Sequence, residues 1–82
     1  ATPVRYAKGF TNFQKRMFPE QYHDFMYTLI VQFGRSAYLE LRSGHTLLSP
    51  PEQEIVLAAL HQAGVKEDFQ FDKYVELYNW FD

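Results

Sequence analysis

The chain has no cysteine, one tryptophan, four glycines and four prolines. Without cysteine there are no disulfides, thiolate metal sites or thiol nucleophiles. No apolar run approaches the roughly 20 residues of a membrane-spanning helix, and the most apolar stretch is only Leu29-Ile30-Val31. Charged residues make up 22% and apolar residues 46%. That balance suits a globular domain and excludes intrinsic disorder. At 82 residues, one domain covering 1–82 is expected, in a reducing, cytoplasmic setting and with no membrane segment.

Aromatic residues are abundant: eight Phe, six Tyr and one Trp. Small domains usually need staples because their cores are small. Here aromatic rings, each burying a large area, can take that role. They exceed what one small core needs, so some should face outward, where aromatics anchor partners.

Charge is uneven along the chain. Residues 1–45 hold six basic against three acidic groups, and residues 46–82 hold two against seven. The halves therefore carry +3 and −5. Such asymmetry orients contacts within a fold or between two copies in a homodimer.

Residues 1–10 read as an extended arm, restricted by Pro3 and released by Gly9. Thr11 and Gln14 have the spacing of a capping box for a short helix, Asn12 to about Met17. Pro19 ends that helix and starts the next. Tyr22, Phe25, Met26, Leu29, Ile30 and Phe33 recur at helical spacing. Gly34 then allows two readings. Either the helix continues through Tyr38 to Gly44, or residues 27–42 form a hairpin; the 3.6-residue period favours helix.

Ser49 and Glu52 flank Pro50-Pro51, a capping-box start for a helix that Gly64 ends. Phe69-Gln70-Phe71 alternates and reads as extended. Asp72 then reads as the N-cap of a last helix, Lys73 to Phe81. The expected fold is mostly α, with three or four helices and the extended arm; the alternative is α+β with a small sheet from residues 27–42. The expected core is Phe25, Leu29, Ile30, Phe33, Ile55, Leu60, Phe71, Val75 and Tyr78.

Chemistry-bearing groups are sparse. Glu20, His23 and Asp24 share one helix face, but a di-iron site needs two Glu-x-x-His motifs, and dipole complementation by the two carboxylates is the simpler reading. Residues 52–81 faintly resemble an EF-hand in outline. The four-residue spacing of Asp68, Asp72 and Glu76 makes a stripe, not a calcium cage. No nucleophile has a base at a recognisable spacing. Neither metal, cofactor nor catalysis is expected.

Two interaction readings remain. The leading one is a non-catalytic, regulatory protein-binding module that docks a partner or itself through Trp80, Tyr74, Phe81 and Tyr38. The alternative is nucleic-acid binding by the arm, where Arg5, Lys8, Lys15 and Arg16 would meet phosphates and Tyr6 would stack on a base. The overall pI of 5.9 weighs against it.

Overall fold

The structure, a computed structural model, describes residues 3–78. Its elements are β1 (Pro3–Lys8), a 3₁₀ turn (Gln14–Arg16), α1 (Pro19–Phe33), α2 (Arg35–Ser43), α3 (Pro50–Gln62) and β2 (Lys73–Tyr78). Three helices thus pack with a two-stranded antiparallel sheet. No helix among the described residues is long and apolar enough to cross a membrane.

The helices start and stop where local chemistry directs. The backbone N–H of Phe18 donates to Gln21 Oε1 at 3.1 Å, just before Pro19 opens α1. Gly34, at φ 90° and ψ 155°, separates α1 from α2. That conformation is essentially restricted to glycine, so the helical pattern bends there instead of running through. Residues 35–43 are helical and end at Gly44. The hairpin alternative for residues 27–42 is therefore corrected: both of its supposed strands are helix. In α3 the Ser49 N–H and hydroxyl both donate to Glu52 Oε1, at 2.9 and 2.8 Å.

The sheet lies elsewhere, at the chain ends. The N-terminal arm is extended, as expected, but it is a strand. Pro3 lies opposite Tyr78, Tyr6 opposite Val75 and Lys8 opposite Lys73. The last helix expected from Lys73 is accordingly a strand as far as Tyr78. The segment Lys73-Tyr74-Val75-Glu76-Leu77-Tyr78 carries two tyrosines and a β-branched valine, residues that suit a pleated surface. Its long-range partner decided its state, and local periodicity could not reveal that partner. The other edge of β1 is covered. Ala7 and Leu48 exchange two backbone hydrogen bonds, of 3.0 and 2.8 Å, and Gln53 Nε2 donates to the Arg5 carbonyl at 2.9 Å.

Asp72 does not cap a helix of its own. Its Oδ2 accepts from the Thr11 N–H and hydroxyl, and its Oδ1 from the Asn12 N–H at 3.2 Å. This replaces the capping box expected at Thr11, and the short helix shrinks to one 3₁₀ turn. A carboxylate is the stronger acceptor, and the turn is short enough to yield to it.

The core gathers Phe10, Phe13, Phe25 and Phe71 around Leu29, Leu48, Val56 and Leu60. Phe13 is the hub, with ring centroids 5.3–5.9 Å from those of Phe10, Phe25, Phe69 and Phe71. Those separations are in the favourable range for ring pairs. Of the expected core, Phe25, Leu29, Leu60 and Phe71 are buried, while Ile30, Phe33 and Ile55 are half-buried against it. Val75 is half-buried on the ribbon, and the side chain of Tyr78 is not among those described.

Candidate functional site

Residues opposite one another on paired strands share a face. Buried Ala7 and half-buried Tyr74 place one face of the ribbon on the core. The other face carries Val4, Tyr6, Val75 and Leu77, with Lys8 and Lys73 at one end.

Several of the expected site residues serve the fold. Tyr74 donates its hydroxyl to Gln70 Oε1 and accepts the Phe71 N–H at 3.1 Å. The Arg5 guanidinium lies 3.9 Å over its ring centre, a cation–π contact. Arg16 pairs with Glu67 at 2.6 Å and stacks 4.3 Å over Phe69. Tyr6 is half-buried on the ribbon, and Lys8 and Lys15 are exposed. Tyr38, expected among the docking aromatics, is only 1% exposed. Its ring is core, since it lies on the side of α2 that meets α1. Trp80 and Phe81 lie outside the described residues.

Most of the exposed apolar surface comes instead from α1 with its N-cap and from α2, and Leu77 adds to it on β2. Phe18, Tyr27 and Val31 are 71%, 64% and 69% exposed, and Leu39 is 42% exposed. The apolar arc of α1 is wider than its core needs. Phe25 and Leu29 point inward, Tyr22, Met26 and Ile30 lie half-buried at the margin, and Tyr27 and Val31 extend the arc into solvent.

Two open cavities line this margin. One, of about 310 Å³, is bounded by Met17, Pro19, Tyr22, His23 and Met26. The other, of about 340 Å³, is bounded by Met26, Ile30, Arg35, Tyr38, Leu39 and Arg42. Met26 lines both, so the two adjoin as a groove along α1, with α2 walling the second cavity.

A polar trio ties the groove floor together. The hydroxyls of Tyr22 and Tyr38 are 2.7 Å apart, and Arg42 Nη1 donates to Tyr22 Oη at 3.3 Å. Burial, and then the bond to Tyr22, push the Tyr38 pKa well above its ordinary value. The hydrogen bond to Tyr22 raises that of Arg42. Tyr38 therefore stays a neutral phenol and Arg42 a cation across the physiological range. Arg42 Nε is buried and makes no hydrogen bond among the described residues.

A model of the family described as a family of unknown function (DUF6078) matches residues 1–80. The chain belongs to DUF6078. The DUF6078 match spans both strands and all three helices, so the groove and the terminal ribbon belong to one family unit. No curated protein and no solved structure matches the chain.

The sequence contained a signal for the exposed apolar flank of α1 beside the groove. Tyr27 and Val31 are apolar, four residues apart, and off the main stripe of α1. They widen the apolar arc past what packing requires. The wall could not be anticipated, because it depends on the bend at Gly34 that brings α2 back beside α1.

Proposed function

We propose that this DUF6078 domain is a non-catalytic protein-interaction module that docks a partner segment on the α1–α2 face. One observation carries the reading: two adjoining cavities lined by apolar groups, with Met26 common to both, on a helix that also exposes Tyr27 and Val31. Apolar surface of this kind, rimmed by polar groups, marks interaction sites on small proteins. Exposed aromatics remain the anchors, with Phe18 and Tyr27 in place of Tyr38. Nucleic-acid binding has less support, because the arm's two arginines are engaged inside the domain, Arg5 on Tyr74 and Arg16 on Glu67 and Phe69.

The test is affinity capture from source-cell lysate with the wild-type domain and Val31→Glu side by side, each with and without nuclease. A stoichiometric protein held by wild type through nuclease treatment and lost with Val31→Glu is the expected result. Material that disappears with nuclease, or that both baits hold equally, would overturn it.

A further inference from the structure

The charged side chains lining the groove are both arginines. Arg35, Arg42 and His23 line it, and no carboxylate does. On α2, Arg35, Tyr38, Leu39 and Arg42 follow one another at i, i+3, i+4 and i+7, so they share one face. On α1, Tyr22, Met26 and Ile30 run parallel to them at four-residue spacing. The groove floor is apolar, and the α2 wall alternates apolar and cationic groups. The acids of α1 and α2 lie elsewhere. Glu20 and Asp24 lie on the Tyr27–Val31 flank of α1 and line neither cavity, and Glu40 accepts the Thr46 hydroxyl.

Arg42 gives the second observation. Its Nη1 is taken by Tyr22, but its Nε is buried without a partner. With Nε shielded and Nη1 held by Tyr22, pairing with an incoming carboxylate falls to the remaining N–H groups of the Arg42 guanidinium. Arginine forks match carboxylates with two parallel hydrogen bonds. From Tyr22 to Ile30 the groove floor runs about 12 Å, or roughly two helical turns. That length suits an amphipathic helix laid into the groove with anchors at i, i+4 and i+7.

We infer that the occupant of the α1–α2 groove is an acidic amphipathic helix of a partner protein, its apolar residues seated on Met26 and Ile30 and its carboxylates on Arg35 and Arg42. The inference rests on the interaction reading above and specifies the partner's chemistry. Arg42 serves as a fixed anchor, preorganised by Tyr22 and Tyr38, and Arg35 as the solvent-facing one. Association should therefore weaken with salt, while Arg42, being partly shielded, keeps part of its pairing.

The test is a display selection. A random peptide library, about 16 residues long and so roughly four turns, is selected against the 82-residue domain. Counter-selection uses Leu39→Glu. Enriched peptides are then synthesised and titrated by fluorescence anisotropy against wild type and Arg35→Glu. Both substitutions are at exposed positions, and circular dichroism confirms that each variant is folded. The expected peptides carry carboxylates beside apolar residues at i, i+4 and i+7. They lose about tenfold in affinity on Arg35→Glu, and again as salt rises from about 50 to about 500 mM. Lysine-substituted copies should recover binding to Arg35→Glu. Peptides that need Leu39 but lack carboxylates, or that ignore Arg35→Glu, overturn the acidic-helix inference and leave the interaction module standing. A selection that yields no peptide sensitive to Leu39→Glu removes the groove as a docking surface and overturns both.

Discussion

The carboxylate of Asp72 accepts both the backbone N–H and the hydroxyl of Thr11, at 2.9 and 2.7 Å, across 61 positions of sequence. With the Asn12 N–H on its other oxygen, Asp72 clamps the turn after β1 to the start of β2. Gly9 lies beneath it, and a Cβ there would sit 2.8 Å from Asp72 Oδ2 at a φ of +80°.

Asp72→Ala should therefore destabilise the domain by about 1–3 kcal/mol, since up to three donors lose a charged acceptor. Gly9→Ala should cost at least as much, because steric clash adds to backbone strain. Urea unfolding followed by circular dichroism reads both. Wild-type midpoints for both variants would show that the clamp is incidental.

Phe13 and Phe18 should behave as opposites. Phe13 is fully buried among four rings, and Phe18 is 71% exposed. Phe13→Ala should cost about 3–5 kcal/mol, enough to leave a domain of this size largely unfolded. Phe18→Ala should stay within about 0.5 kcal/mol. Thermal melts of the two variants decide the point, and equal shifts would contradict the packing described.

Tyr38 sets an alkaline limit. Its pKa lies above the ordinary 10.0 in the folded state. Its stabilising contribution is therefore complete below pH 10 and falls as pH rises beyond it, because the unfolded chain then releases the proton first. Tyr38→Phe should cost about 1 kcal/mol at neutral pH through the lost bond to Tyr22. Above pH 10 it should lose less stability per pH unit than wild type. Chemical denaturation from pH 7 to 11 measures both slopes, and parallel slopes would place the phenol in a solvated environment.

Tyr27 and Val31 are spare to the fold. The double variant Tyr27→Glu, Val31→Glu should melt within a few degrees of wild type, as surface changes do. It should also bind less of a hydrophobic fluorescent dye. A large drop in melting temperature would show that these side chains pack in the free domain.

What could be read from the chain follows the range of the interactions concerned. The helical segments were legible because their signals are local: Pro19 and the stripe from Tyr22 to Phe33, Gly44 after α2, Ser49 with Glu52 before α3; the break at Gly34 that makes two helices of the first was not read. The sheet was not, because β1 and β2 pair the two ends of the chain, and neither strand has a local partner. Asp72 was misread for the same reason: its acceptor role faces Thr11 and Asn12, not the residues that follow it. Among the site residues, Tyr38 and Tyr74 could not be sorted into core or surface by spacing, since their burial depends on Phe10 and Arg5 arriving from elsewhere. The groove's floor, Tyr22, Met26 and Ile30, lay within the legible stripe of α1, and its cationic wall was not visible.

Because Pro3 lies directly opposite Tyr78, the backbone enters and leaves the described fold at neighbouring points, on the order of 5 Å apart. The helices hang from a two-stranded stem. Spliced into a surface loop of another protein, the unit would hold the loop's ends nearly as close as a tight turn does. The host would then lose little chain entropy beyond that of an ordinary turn. The ribbon is thus a natural graft point, leaving the groove free at the side of the stem for whatever the host brings near it.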